Sequence, residues 1–158
     1  MLHQDVIIRE FAPSDAEGVI GLIIELQSYE RQFIPDYAVP DRAFGQWYLE
    51  RLRAELREHQ GVLIVAVLED KLCGFCAGLD DESAEEQSRY FYIAELAVSE
   101  AMRGRGVGTR LIAAMEELAR ERGYRTVVIG VLAQNTRVKG LYHRLGFRDY
   151  AVRLRKKL

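Results

Sequence analysis

The chain has 158 residues, a hydrophobic fraction of 49% and a formal net charge of −2 at pH 7. That length suits one domain with a real core, residues 1–158 as a single unit, and is short for two. The near-neutral charge argues against a nucleic-acid binder or an acidic tail, and no apolar run approaches membrane-spanning length, so neither nucleic acid nor membrane is an expected partner. Met1 to Asp5 carry no basic stretch leading into an apolar segment, so no secretory signal is read and the cytoplasm is the default location.

Val6-Ile7-Ile8 opens a first strand that ends near Phe11. Ser14 and Glu17 then have capping-box spacing, which predicts a helix whose apolar face is Val19, Ile20, Ile23, Ile24 and Leu26. Pro35 and Pro40 bracket a break. Asp41 can cap a second helix, marked by Phe44, Trp47, Tyr48, Leu52 and Leu56 and running to about Glu58. Val62 to Leu68 is a buried-strand signal, Glu69-Asp70-Lys71 a short polar turn, and Leu72 to Leu79 the returning strand of a hairpin. Asp80 to Arg89, with five acids, reads as a loop, and Tyr90 to Val98 as a fourth strand. Leu111, Ile112, Met115, Leu118 and Ala119 lie on one helical face that stops at Gly123. Thr126 to Val131 is a further strand. Asn135 caps a last helix carrying Val138, Leu141, Tyr142 and Leu145, and Phe147 to Leu154 is expected to close the chain as one or two strands. Hairpins in the middle and strand–helix alternation later predict a mixed α/β sheet.

The helix after the fourth strand begins abnormally. Helix starts favour Ser, Thr, Asp or Asn at the cap and acids in the first turn. Here Arg103-Gly104-Arg105-Gly106-Val107-Gly108 and then Arg110 put three glycines and three arginines at the positive pole, with no carboxylate among them. That composition suits an incoming anion: glycines let the main chain approach closely and aim several N–H groups at a phosphate or pyrophosphate. A tight strand-to-helix turn with solvated arginines is the plainer alternative. A dinucleotide fingerprint does not fit, because the spacing is Gly104-x-Gly106-x-Gly108 and the next strand tip, Leu132-Ala133-Gln134, has no acid for a ribose. No Gly-Lys-Ser/Thr follows, which excludes a Walker loop.

Cys73-Gly74-Phe75-Cys76 has redox-motif spacing. It falls inside a strand rather than at a helix start, and a spacing of three puts the thiols on opposite faces. With His3, His59 and His143 scattered, no zinc set is assembled. Two small buried hydrophobes, and no metal, are expected.

Arg103-x-x-Gly106-x-Gly108, between a strand ending Glu95-Leu96-Ala97-Val98 and an amphipathic helix, resembles the acetyl-CoA signature of the GNAT superfamily of N-acetyltransferases. Asn135 followed by Tyr142 and Leu145-Gly146-Phe147 resembles that family's closing motif. The resemblance spans Val6 to Leu154. It implies a mixed, mostly antiparallel sheet flanked by about four helices, with acetyl-CoA (coenzyme A) as co-substrate. It further implies that the coenzyme is held by Leu96, Ala97, Val98, Arg103, Gly104, Arg105, Gly106, Val107, Gly108, Thr109 and Asn135. Tyr142 matches the tyrosine that protonates the departing thiolate, though it is equally suited to a core aromatic. Glu95 is the acid of the fourth strand; buried there it should have a raised pKa and could take the amine proton. It could instead partner a pocket cation or point outward.

A small-molecule primary amine is the expected acceptor, with protein amines, or an acyl-CoA sensor without catalysis, as alternatives. The acids Asp80, Asp81, Glu82, Glu85 and Glu86, with Glu25 and Glu30, could draw in a cationic amine, although such a run also suits a solvated hairpin tip. The basic end, Arg153 to Lys157, reads as a polar final strand. A homodimer is one assembly open to the chain.

Overall fold

The computed structural model describes residues 6–158, so the readings of Met1 to Asp5 and of His3 lie outside the described residues. Strands β1 (Ile7–Glu10), β2 (Val62–Leu68), β3 (Lys71–Ser83), β4 (Ser88–Val98) and β5 (Val127–Ile129) form one sheet in chain order. The first three pairings are antiparallel and the last, β4 with β5, is parallel. Helices α1 (Ala16–Glu30) and α2 (Arg42–Glu58) cover one face. Helices α3 (Val107–Glu121) and α4 (Thr136–Arg144) cover the other.

Strand β2 shows why a continuous apolar run was needed. Alternate side chains enter opposite layers: Leu63 and Val65 pack with Val19, Ile23 and Phe75, whereas Ile64 and Ala66 pack with Phe91, Leu111 and Met115. Leu68 pairs with Lys71, and Glu69 and Asp70 take φ of 48° and 61°, the left-handed pair that a two-residue type I′ hairpin turn requires. The Asp41 carboxylate accepts from the Phe44 N–H at 2.8 Å and caps α2.

Four expectations are corrected. Ser14 caps nothing: a single 3₁₀ turn, Pro13–Asp15, precedes α1, and the Asp15 carboxylate accepts from the Ala12 N–H at 2.7 Å while pairing with Arg9. The acidic stretch is not a loop from Asp80 onward, because β3 runs to Ser83 and β4 starts at Ser88. Asp80 is buried and accepts from Arg89 Nε at 2.9 Å, and Asp81 accepts from the Tyr90 hydroxyl at 2.7 Å, so both serve as cross-strand partners. Cys73 and Cys76 do not face opposite ways. Gly74 pairs with Ala66 and Leu72 with Val67, leaving Cys73 as the extra residue of a bulge that resets the alternation and sends both free thiols into one apolar layer. Phe147 to Leu154 forms no strand. β5 offers a ladder of only three residues to extend, and the segment is tied by side chains instead, Tyr150 to Glu86 at 2.9 Å and Asp149 to Lys139 at 2.8 Å.

Candidate active site

The site begins with a break in the sheet. Strand β4 pairs with β5 from Phe91 to Ile93 and then runs five residues further without it, to Val98. At the same point Ala77 pairs with Glu95 but Gly78 with Ile93, so Ala94 is an extra residue on β4. A bulge bends and twists the strand that carries it, and β4 swings away from the chain leaving β5. Between them opens a cleft of about 450 Å³. Its walls are β4 residues 93–98, residues 129–132 after β5, the loop into α3, part of α1 (Leu26, Tyr29, Glu30) and part of α4 (Val138, Leu141, Tyr142).

One end of this cleft is main chain. Gly104 and Gly106 hold φ of 73° and 81°, a left-handed region costly for any residue with a Cβ. They turn the loop so that α3 starts at Val107, against the cleft. No side chain caps this helix and its first turn has no acid. The first intrahelical bond runs from the Arg110 N–H to the Gly106 carbonyl at 3.0 Å, which leaves the Val107, Gly108 and Thr109 N–H groups ahead of it, with the positive end of the dipole. Gly108 stands where an added Cβ would meet only Val98 Cγ2 at 3.6 Å, so the surface there is open to close approach.

The arginines are placed unequally. Arg103 lines the cleft but is engaged: its Nε donates to the Val98 carbonyl at 3.1 Å, its guanidinium lies 5.0 Å from the Tyr29 ring centre, and Glu25 is 4.0 Å away. Arg105 is exposed and is not part of the wall, and Arg110 donates to the Val6 carbonyl at 2.8 Å. Arg137 and Arg144, which the sequence did not single out, do line the cleft. Only their placement in the fold reveals them.

The other end is side chain. Glu95 is half-buried at the bulge: protein surrounds its carboxyl, yet it opens on the cleft. Burial pushes its pKa from the ordinary 4.5 up to about 7, with a smaller opposing pull from the Tyr48 hydroxyl that donates to Oε1 and a further push from Glu30. Tyr142 is buried, its ring tilted 5.9 Å from that of Phe147. Its hydroxyl bonds no described protein group, but no described side-chain polar atom is both buried and unpartnered, so the hydroxyl meets the cleft. Burial raises its pKa and keeps the phenol protonated. Asn135 is buried and accepts from the Val138 N–H at 3.4 Å, capping α4. The sequence-derived residues thus converge on one cleft, Arg105 excepted. Tyr48 was read only as a marker of the second helix, Glu30 as one of the acids that could draw in a cationic amine, and Tyr29 was not singled out. Among the described residues no cluster of His, Cys, Asp or Glu could hold a metal ion, and no helix is long and apolar enough to cross a membrane.

A mixed sheet split at a bulge, with an uncapped helix start facing the split, defines an α/β fold with a cleft at the open edge of β4. The chain belongs to the acetyltransferase (GNAT) family, whose model matches residues 25–147. An uncharacterized N-acetyltransferase, YhfO, of Bacillus subtilis (strain 168) is 23% identical over 142 residues, 90% of this chain and 89% of the relative. A thialysine N-epsilon-acetyltransferase of Bos taurus is 29% identical over 154 residues, 91% of this chain and 85% of the relative. A crystal structure of a mutant of the BH1408 protein from Bacillus halodurans superposes with a TM-score of 0.82 at 22% identity, covering 96% of this chain and 99% of that one. An aminoglycoside acetyltransferase from an uncultured soil metagenomic sample gives a TM-score of 0.71 at 22% identity, covering 100% and 99%. At these identities the solved structures share the fold.

Proposed function

We propose that the chain moves the acetyl group of acetyl-CoA to a primary amine of a small molecule, by direct attack within a ternary complex. The observation that carries this reading is the parting of β4 from β5, which gathers an uncapped helix start, an unpaired strand edge, Glu95 and Tyr142 around one cleft. Acetyl-CoA supplies an activated acetyl thioester and a pyrophosphate handle. The N–H groups of residues 107–109 suit the pyrophosphate. The main chain of Leu96 to Val98, freed from β5, can pair with the pantetheine arm and direct an N–H at the thioester oxygen, stabilising charge that develops there.

Glu95 accepts the amine proton, directly or through a water, because a carboxyl with a pKa of about 7 is a usable base at neutral pH. The Tyr142 hydroxyl returns a proton to the leaving sulfur. Among the described residues no serine or cysteine lines the cleft, and Cys76 is fully buried with its thiol pKa pushed up by that burial, which favours direct attack over an acyl-enzyme. The name of the bovine relative, an acetyltransferase of a small amine, supports a small acceptor.

The test is release of free thiol from acetyl-CoA against a panel of primary amines: thialysine, polyamines, basic amino acids, aminoglycosides and peptides. Amine-dependent release is expected, greatest with a small cationic amine. Acetyl-CoA binding with no release from any member would overturn the enzyme reading in favour of a sensor, and release confined to peptides would overturn the small-molecule acceptor.

A further inference from the structure

Helix α2 gives no residue to the cleft wall, yet its Tyr48 hydroxyl donates to Glu95 Oε1 on the face of the sheet that α1 and α2 cover. The contact is built from packing. Gly45, Leu49, Leu52 and Leu56 form the buried stripe of α2, and a Cβ at Gly45 would lie 2.9 Å from Ile20 Cγ2 and 3.2 Å from the Ile20 carbonyl oxygen. Glycine therefore lets α2 seat closely on α1. Tyr48 lies at the edge of that stripe, packed in the same apolar layer as Tyr92 and Ala94 of β4. Phe44 lies 5.8 Å from the Tyr48 ring centre, Trp47 stands edge-on at 6.2 Å, and the Arg51 guanidinium is 5.8 Å away. The ring is clamped on several sides, so the hydroxyl has little freedom.

We propose that Tyr48 is a positioning residue of the transfer reaction: its hydroxyl occupies Glu95 Oε1 and leaves Oε2 as the oxygen that takes the amine proton. The proposal rests on Glu95 being the base. The unprotonated oxygen of a carboxyl is the stronger acceptor for a phenol, so while the bond lasts the transferred proton is favoured on Oε2. Burial and the neighbouring Glu95 charge both raise the Tyr48 pKa, which keeps the donor protonated. The titratable and charged groups that act on or feel Glu95 are Glu30 of α1, Tyr37 beyond it, Arg51 and Glu55 of α2, Cys76 of β3, Tyr92 of β4 and Tyr142 of α4. None of these hydrogen-bonds the carboxylate among the described residues; the Tyr48 hydroxyl does.

The experiment is a carbon-13 NMR titration of the full chain labelled at glutamate carboxyls, with Glu95→Gln to assign the resonance. The wild-type midpoint is expected near 7, and in Tyr48→Phe about 1–2 higher, because a hydrogen bond to the charged form has been removed. An unmoved or lowered midpoint overturns the proposal. Should Tyr48→Phe fail to fold, tyrosine ring-carbon labelling of the wild type decides: one tyrosine signal must shift with the Glu95 midpoint, and none doing so overturns it. The titration needs no acceptor. A Glu95→Gln variant that releases thiol at the wild-type rate would instead remove the base assignment, a failure distinct from an unmoved midpoint.

Discussion

At the α3 end of the cleft the polar groups on offer are main-chain N–H groups exposed by glycines, whereas at the β4 bulge they are side chains, Glu95 and Tyr142 in the wall with Tyr48 bonded to Glu95 from outside it. The first arrangement suits a ligand group that is the same in every turnover. The second suits chemistry, where protonation state and orientation decide the rate. Substitutions should separate the two ends, because a side chain can be removed without moving the loop, and a glycine can be filled without touching the carboxylate.

The largest effect is expected at the bulge end. Glu95→Gln and Tyr142→Phe should each lower kcat for acetyl transfer by about 10²–10⁴-fold, with acetyl-CoA affinity unchanged by calorimetry; a matching loss of affinity would erase the distinction between the ends. Next comes stability. The folded-state pKa of Glu95 lies above its ordinary value, so the folded chain binds the extra proton, and the stability present below about pH 4.5 is lost as the pH rises through about 7. Denaturant unfolding should show a fall of on the order of 1–3 kcal/mol across that window, and Glu95→Gln should flatten it.

Smaller effects belong to the glycine end. Gly106→Ala forces a Cβ into φ of 81° and should cost about 1–2 kcal/mol of stability while weakening acetyl-CoA binding. Gly108→Ala sharpens the contrast: its Cβ meets only Val98 Cγ2, at an ordinary contact distance of 3.6 Å, so helix propensity should add about 0.5–1 kcal/mol of stability, while the same methyl group narrows the approach to the helix start and weakens binding. A thermal melt and a binding isotherm on each variant check both signs.

The two ends were also unequally legible in the sequence. Glycines and missing acids before Val107 break a strong local rule, so a candidate anion site can be read residue by residue. The Asp41 cap and the Glu69-Asp70 turn are local in the same sense. Bulges are not. The extra residues at Ala94 and Cys73 change register without changing residue type, so the widening of the cleft and the shared layer of the two cysteines were hidden. Tyr48 and Glu95 are 47 residues apart, and only the packing of α2 on α1 joins them. Phe147 to Leu154 includes strand-favouring residues such as Tyr150 and Val152, but a strand needs a ladder to join, and β5 pairs over only three residues.

The central claim, that main-chain groups at the start of α3 grip the coenzyme and lay its thioester along β4, is tested most directly by titrating the nitrogen-15-labelled chain with acetyl-CoA and following its amide resonances. Large shifts at residues 104–109 and 95–98, with the amides of β1 and the outer face of α2 still, are the predicted result. Binding that leaves the 104–109 amides unmoved would contradict it.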